Sequence, residues 1–380
     1  MKLLNLDDIS SEAVLKEKTE LAHYMMLQAL KIPFLLIDNV QTEIRAAVVD
    51  GSILSVTVNE IAYNTSYVCS MYTAFISYAK QELKKINNLL IQKILLMLIS
   101  SLDNLLKKVH IDRVVSNNNF LLSTNLYFNT TWKEGELRQY LQGLIKEFPE
   151  HTIIFRSLNF HTNKDLIQVL KNIGCKLVPS RQVYIFDQSL KDYTKQKNYQ
   201  IDLKLLNNIR DYTLCYNADI MHSDYKQIEH LYKKLYIDKY STYNPIFNAQ
   251  YIEYSHKTSF IEYFGLRNKE GVLDAIIGCY DRNNTTTAPI VGYDTDLSQK
   301  LGLYRILMAY CINRAQRKGM VLNLSSGASL FKILRGGVPF IEYSAVYTNH
   351  LNNRLQKLTW KLLGNILIYI GVPIMKYFKL

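Results

Sequence analysis

The sequence contains 380 residues, of which 48% are hydrophobic and 21% are charged, so the chain can bury a sizeable core and is not of the disordered class. Its formal net charge of +12 favours an anionic partner. The basic residues are dispersed and often lie beside acidic ones, however, and no basic arm or zinc-finger spacing is present. We therefore do not expect a nucleic-acid partner.

The five cysteines are odd in number, lie far apart and form no CxxC pair or Cys/His cluster. This spacing argues against disulfide bonds and structural zinc, and no metal site is expected. It also indicates a reducing compartment. The N-terminal segment turns acidic early and has no apolar run of signal-peptide length, so we expect a cytoplasmic protein.

In chain order, the first half is predicted to begin with a helix at about 10–30, followed by extended runs that include a hairpin across Asp50-Gly51. Two helices are predicted over about 67–109. The next elements are short strands, a helix near 135–147, a strand at 152–159, a helix from about 164 to 172 and a closing hairpin. The polar stretch 187–202 has no concentrated apolar face and is interpreted as a link.

The second half is predicted to repeat this plan. A strand at 212–217 and two helices precede three strands that are joined by short turns. The remaining elements are a helix from 299 to about 317, a strand at 321–325, a short helix at 329–335, a strand at 339–347 and a last helix from about 350. This order predicts an α/β (α+β) fold with mixed central sheets flanked by helices.

Two apolar stretches come nearest to a membrane span. The stretch 89–106 is interrupted by Lys93 and is predicted to be a buried or amphipathic helix. The stretch 362–375 contains Gly371 and Pro373 and is shorter than the roughly 20 residues that a spanning helix needs. We therefore expect a soluble protein.

The C-terminal segment 351–380 has five basic residues and no acidic one. Its leucines and its basic residues fall on different faces of a helix, which predicts a basic amphipathic helix. Three roles are open for it: simple packing, docking of an acidic carrier protein, and peripheral contact with an anionic membrane.

Gly302 stands near the start of the helix predicted from 299, although glycine weakens a helix interior by about 1 kcal/mol relative to alanine. The strand 287–296 leads directly into this helix. Free backbone N–H groups at a helix N-terminus, beside a glycine that allows close approach, form an anion site. We therefore interpret Gly302 as part of an anion cradle, and we expect Gly302→Glu to abolish phosphate binding at little cost to the fold.

The segment Gln299-Lys-Leu-Gly302-Leu-Tyr304 resembles the Q/R-x-x-G-x-G/A pyrophosphate loop of the GNAT acyltransferases, with Tyr304 where that family usually has Gly or Ala. Segments between 239 and 351 resemble the FemAB/BioF2-like branch of the superfamily, whose members often carry two GNAT-like units. In the first half, the equivalent strand-to-helix junction is placed near 64–80. That stretch has no glycine, so the first unit is predicted to be degenerate.

The resemblance implies two tandem GNAT-like (acyl-CoA N-acyltransferase) units. The predicted organisation is an N-terminal degenerate GNAT-like unit at 1–190, a linker at 191–209, a C-terminal unit that binds the acyl donor at 210–350, and a basic amphipathic helix and tail at 351–380.

The resemblance also implies an N-acyltransferase. It would move an acyl group from acyl-CoA, or from the phosphopantetheine of an acyl-carrier protein, to a primary amine of a small molecule or peptide. The donor arm would lie between the strands 287–294 and 321–325. The residues assigned to donor binding are Val291, Gly292, Tyr293, Gln299, Gly302, Leu303, Tyr304 and Arg305.

Acyl transfer from a thioester to an amine needs an oxyanion stabiliser, a base for the amine and an acid for the thiolate. Asp294, Glu262 and Glu342 are candidate bases near strand ends. Tyr293, Tyr304 and Tyr343 are candidate acids, of which Tyr293 is assigned to catalysis together with Asp294 and Glu342. Asn323 and Ser325 share one side of their predicted strand. The residues assigned to substrate binding are Tyr240, Asn244, Glu262, Asn323, Ser325, Lys332 and Arg335. For the charged residues in these two sets, the alternative interpretation is that they only form structural ion pairs.

Two further functions are open. A non-catalytic GNAT-like binding or scaffold protein is favoured by Tyr304 and by the absence of an unambiguous base. An aminoacyl-tRNA-dependent, FemAB-like transferase would suit the net charge of +12. However, the sequence has no inserted helical arm with heptads, which some such enzymes carry.

Overall fold

The computed structural model of the protein describes residues 2–9, 18–83, 86, 88–128 and 131–378. Residues 10–17 of the predicted first helix lie outside this part of the chain. The strands are β1 (Lys2–Leu4), β2 (Glu43–Val49), β3 (Ser52–Asn59), β4 (Val114–Asn117), β5 (Thr152–Leu158), β6 (Lys176–Phe186), β7 (Thr213–Cys215), β8 (Glu262–Arg267), β9 (Leu273–Arg282), β10 (Thr285–Tyr293), β11 (Val321–Asn323) and β12 (Val338–Tyr347).

Helices flank the sheet that these strands form. They are α1 (Lys18–Ala29), α2 (Ala79–Glu82), α3 (Leu89–Lys108), α4 (Glu134–Glu147), α5 (Lys164–Asn172), α6 (Lys197–Asn207), α7 (Tyr225–Lys233), α8 (Ala249–Lys257), α9 (Leu303–Arg317), α10 (Ser329–Ile333), α11 (Arg354–Ile366) and α12 (Val372–Phe378). The predicted mixed α/β architecture is therefore confirmed.

The two halves of the chain exchange strands within one sheet. Its order is β1-β2-β3-β4-β5-β12-β6-β11-β10-β9-β8-β7. The last strand, β12, pairs antiparallel with both β5 and β6 of the first half, and β6 pairs in turn with β11 of the second half. Each half therefore supplies the strand that separates two strands of the other half.

Each half contains one pair of adjacent parallel strands, and the two strands of each pair are connected by a crossover helix. These crossovers are β4–α4–β5 and β10–α9–β11. The first-half counterpart of the β10–α9 junction therefore lies at 118–133, and its predicted place near 64–80 is wrong. That stretch contains the π-helical turn Thr73–Tyr78 instead. Because β4 has four residues, its sequence is too short to show a strand alternation.

The stretch predicted as the linker contains helix α6, which packs along α9. Tyr199, Asp202 and Leu206 are buried on α6. The interpretation of 187–202 as a polar link is therefore wrong from Lys197 onwards, where α6 begins. The buried face of α6 is small and includes the carboxylate of Asp202, so the apolar residues alone do not indicate it. The division of the chain at 191–209 stays a prediction.

Two helices expose long apolar faces. In the most apolar 18-residue stretch of α3, only 6% is buried, so of the two alternatives predicted for it, a buried or an amphipathic helix, the buried one is wrong. The C-terminal helix runs without a break over Arg354–Phe378 and passes through a π turn at Leu367–Gly371, so the expected interruption by Gly371 and Pro373 is also wrong. Among the described residues, these two helices are long and apolar enough to cross a membrane by length and composition.

Apolar and ionic contacts join the halves above the sheet as well. One buried hydrophobic cluster combines Leu27 and Phe120 of the first half with Phe260 of the second. Beside it, Nη2 of Arg282 lies 3.1 Å from the Glu20 carboxylate, and both residues are buried. The halves therefore form one packed body.

Strand β10 packs so closely on α7 at Gly292 that there is no room for a side chain. A Cβ there would lie 2.5 Å from the carbonyl carbon of Leu231 and 2.6 Å from the backbone nitrogen of Tyr232, both on α7. We expect Gly292→Ala to lower the free energy of unfolding by about 1–3 kcal/mol, because helix backbone must move. Gly143 of α4 has no neighbour within 4 Å of its Cβ position, so Gly143→Ala should raise it by about 0.5–1 kcal/mol. Urea denaturation of both variants checks these opposite signs, and equal effects would contradict the packing argument.

Candidate functional site

Strands β10 and β11 separate after a short paired stretch. They pair in parallel at three positions, from Thr285↔Val321 to Thr287↔Asn323. Beyond this point β10 continues to Tyr293, paired with β9, whereas the chain after Asn323 turns towards β6. A β-bulge lies between Thr287 and Ile290 of β10. The result is a gap between β10 and β11, which we call the splay.

Two backbone N–H groups of β10 are directed towards the splay. Asp294 donates its backbone N–H to the carbonyl oxygen of Asp274 at 2.8 Å, which fixes the hydrogen-bonded register with β9. Along an antiparallel pair, successive backbone N–H groups point alternately towards the partner strand and away from it. The N–H group of Gly292 therefore points towards β9, like that of Asp294, whereas the N–H groups of Val291 and Tyr293 point away from β9. The splay is therefore lined by the backbone N–H groups of Val291 and Tyr293.

Gly302 lies at the N-cap of α9 in the left-handed region, with φ 67° and ψ 25°. It offers no capping side chain to the first turn of α9. The Cδ2 atom of Leu205 on α6 lies 2.7 Å from the position of a Cβ at 302. Helix α6 therefore explains the bare backbone, and the expectation that Gly302→Glu costs the fold little is wrong.

A buried carboxylate from α6 lies near the same helix end. Asp202 is 1% exposed, and it accepts hydrogen bonds from Nε of Arg305 at 2.6 Å and from Nε of Arg335 at 2.5 Å. The Arg335 guanidinium also stacks 3.3 Å from the centroid of the Phe331 ring. The two arginines predicted to bind donor and substrate therefore converge on a carboxylate of the chain itself.

Aromatic side chains line the region between β10 and α9. The rings of Tyr293 and Tyr304 are 6.0 Å apart, and Tyr304 lies 4.9 Å from Phe331. Burial, reinforced by neighbouring tyrosines, raises the pKa of Tyr304 well above its usual value. The Tyr304 hydroxyl therefore keeps its proton and can act as a hydrogen-bond donor at neutral pH. Tyr240 is partly exposed nearby.

The two carboxylates proposed as bases both have basic partners. Asp294 pairs with Lys234, whose hydrogen bond lowers the pKa of the Asp294 carboxyl. Oε1 of Glu342 accepts from Nε of Arg181 at 2.9 Å, and Glu342 is 3% exposed. Both carboxylates suit the binding of a cationic ammonium better than the removal of its proton.

Glu262 does not belong to this site. Its carboxylate pairs with Arg314 at 2.6 Å and with Lys318 at 3.0 Å, and the hydrogen bond from Arg314 lowers the pKa of Glu262. These partners lie near the C-terminal end of α9. The helix rise places that end about 18 Å from Gly302. The prediction that Glu262 faces the cleft is therefore wrong.

Other predicted substrate residues have structural partners. Lys332 is buried and donates to the carbonyl oxygens of Leu324 at 2.7 Å and Ser326 at 2.8 Å. Burial lowers the pKa of Lys332 to about 7, whereas these carbonyl groups favour its ammonium form. Asn244 donates to the carbonyl oxygen of Tyr236 at 2.8 Å.

Asn323 and Ser325 do not share one side of a strand. Strand β11 ends at Asn323, and Ser325 has a positive φ of 56°. The Asn323 carboxamide oxygen accepts from the backbone N–H of Ser325 at 2.9 Å. The two residues therefore close the turn that leaves the splay, and the two-residue period predicted for them is wrong.

Sequence reasoning missed a half-buried pair of tyrosines between the halves. Tyr78 and Tyr236 lie on two π-helical turns, Thr73–Tyr78 and Lys234–Asp238, and both interact electrostatically with Arg181. Burial raises the pKa of Tyr78 well above its usual value. The signal that marks this group is the pair of π turns, which frequently occur at functional sites and have no simple sequence pattern.

The described residues contain no group of three or more His, Cys, Asp or Glu side chains that could hold a metal ion. A depression of about 200 Å³ is lined by Gln182, Ile333, Pro339, Phe340, Ile341 and Lys376.

No family model and no curated protein matches this sequence. Among solved structures, FemX superimposes with a TM-score of 0.53 at 9% identity, over 96% of this chain and 100% of its own. L-PGS from Bacillus licheniformis gives 0.41 at 14% identity, over 60% and 77% of the two chains. A tandem GNAT protein from the clavulanic acid biosynthesis pathway gives 0.35 at 7% identity, over 61% and 75%. The chain thus shares the fold of FemX along nearly its whole length, and the predicted tandem GNAT-like fold is confirmed.

Asp202 should be critical for stability. Replacing it with Ala leaves the buried Arg335 guanidinium without its carboxylate, so we expect the free energy of unfolding to fall by about 3–5 kcal/mol. The control is Asp211→Ala, which removes an ion pair with Lys269 in which both side chains are more than 70% exposed. Its expected effect is below about 1 kcal/mol. Urea denaturation measures both, and an equally small effect of Asp202→Ala would contradict the role assigned to it.

Proposed function

We propose that this protein is an acyltransferase that joins an acyl group to a primary amine at the splay. The observation that carries the proposal is the pair of backbone N–H groups of Val291 and Tyr293 directed into the gap between β10 and β11. Such donors stabilise the oxyanion that forms when an amine attacks a thioester or ester carbonyl. The FemX-like fold supports the same class of reaction.

The residues around the splay supply the other parts of the reaction. The amine nitrogen attacks the carbonyl carbon, the tetrahedral oxyanion forms, and the bond from carbon to the leaving sulfur or oxygen breaks. Tyr304 keeps its proton and lies beside Tyr293, so a tyrosine hydroxyl donates to the departing group. The carboxylates of Asp294 and Glu342 hold the incoming ammonium, and water accepts one proton from it before attack. As the amide forms, the nitrogen loses a second proton, which returns to the tyrosine oxygen that protonated the departing group.

The proposed donor is acyl-CoA or an acyl-carrier protein, with its phosphate near Arg305 and Arg335. Both arginines already bind Asp202, so a donor phosphate competes with this carboxylate for them. Leu205 of α6 lies against Gly302 in addition. Donor binding in this position therefore requires α6 to move away from the N-terminus of α9, and this cost lowers donor affinity.

Donor binding tests this competition. We expect Asp202→Asn to bind acetyl-CoA or a long-chain acyl-CoA at least about tenfold more tightly than the wild type, because the neutral amide competes less with a phosphate. Arg305→Met should weaken binding, because it removes a cation that is partly exposed. Isothermal titration calorimetry measures both variants. Unchanged affinities in both would place the donor phosphate elsewhere.

The backbone donors are tested by proline substitution. Val291→Pro removes an N–H group that faces the splay and keeps the pairing with β9, so we expect kcat to fall about 100–1,000-fold with the fold intact. Ile290→Pro is the matched control, because its N–H faces β9 and its loss should destabilise the sheet. The assay measures free thiol released from the bound donor with an added amine, and circular dichroism checks folding. Full activity in folded Val291→Pro would contradict the assigned role.

An aminoacyl-tRNA is the second donor class. The net charge of +12 suits a polyanionic donor, and the ester of such a donor needs no pyrophosphate at the covered end of α9. Filter binding of aminoacylated and uncharged tRNA distinguishes it from a thioester donor. If acyl-CoA, carrier protein and aminoacyl-tRNA all fail to bind, the non-catalytic scaffold remains.

A further inference from the structure

Helix α3 and the C-terminal helix Arg354–Phe378 lie on the same side of the molecule. Leu106 of α3 and Trp360 and Leu363 of α11 belong to one buried hydrophobic cluster, and the ring of Trp360 lies 6.1 Å from that of Phe75. Leu106 lies in the last turn of α3, and Trp360 and Leu363 lie on α11, so the two helices cover the same side of the sheet. We call their exposed side chains together the two-helix surface.

The two-helix surface is apolar over most of its extent. In the most apolar 18-residue stretch of each helix, 6% of α3 and 22% of the C-terminal helix is buried inside the protein. Its exposed apolar side chains are Leu89, Leu90, Ile94, Met97 and Leu98 on α3 and Leu355, Leu358, Leu362, Ile368, Tyr369, Ile370 and Tyr377 on the C-terminal helix. Soluble monomeric proteins rarely expose contiguous apolar patches of this kind without a binding role.

The charges on this surface are almost all positive. Lys93 is exposed on α3, and Arg354, Lys361 and Lys376 are exposed on the C-terminal helix. The sequence from 351 to 380 contains no Asp or Glu. An apolar face bordered by basic residues is complementary to a bilayer with anionic headgroups.

We propose that the two-helix surface docks on an anionic lipid bilayer, with both helices lying in the plane of the interface. Leu106 in the last turn of α3 and Trp360 and Leu363 of α11 are buried against the sheet, so each helix is anchored to the protein core. Tyr369 and Tyr377 are 76% and 79% exposed, and tyrosine is enriched at the depth of lipid headgroups. This inference does not depend on the proposed transferase activity.

Vesicle flotation with the full-length protein tests the proposal. We expect the wild type to float with vesicles of phosphatidylcholine and phosphatidylglycerol and to bind pure phosphatidylcholine more weakly. The double variant Met97→Asp/Leu358→Asp changes side chains that are 72% and 61% exposed, so it should lose at least about tenfold in partitioning without a cost to folding. Phe34→Asp, at a 58% exposed position outside both helices, is the matched control and should bind like the wild type.

A charge variant separates the two contributions. Arg354→Gln/Lys361→Gln/Lys376→Gln should reduce the preference for anionic vesicles and leave binding to neutral vesicles unchanged. Light scattering in the absence of lipid identifies the competing occupant, a second copy of the chain. Failure of the wild type to float, equal flotation of the Met97→Asp/Leu358→Asp variant, or a dimer that this variant dissociates would each overturn the proposal.

Discussion

The exchange of β6 and β12 is the constraint on which the rest of this structure depends. Main-chain hydrogen bonds run from β5 through β12 and β6 to β11, so the centre of the sheet belongs to both halves. The splay opens directly beside this centre, because β11 turns towards β6 instead of following β10. Arg181 and Glu342, on the exchanged strands, place an ion pair between the halves. The candidate site is therefore a product of the pairing of two units.

The relation between α6 and α9 gives the site its distinctive electrostatics. In an open helix N-terminus, backbone N–H groups and nearby arginines attract an external anion. Here Asp202 already supplies a buried negative charge to Arg305 and Arg335. The arrangement stabilises the packing of α6 against α9, because one buried carboxylate neutralises two arginines.

Most of the order of strands and helices could be predicted because it rests on local signals, although the closing hairpin predicted for the first half is the single strand β6. The hairpin across Asp50-Gly51, for example, joins β2 and β3 as its turn sequence indicates. The partners of charged residues could not be predicted in this way. Asp202 and Arg335 are 133 residues apart, and Glu262 and Arg314 are 52 apart. Sequence periodicity carries no information about contacts between residues so far apart. Gly302, Arg305 and Arg335 therefore suggested an external ligand, whereas Leu205 and Asp202 of the same chain contact them.

The strand exchange also sets the order of events during synthesis on the ribosome. Strands β5 and β6 are complete early in translation, but β12, which separates them, ends at Tyr347. Until the second half is made, β5 lacks a partner on one edge and β6 on both, and such unpaired edges are templates for pairing with other chains. Such long-range pairing slows folding. The unfinished chain is therefore most open to association with other chains along β6.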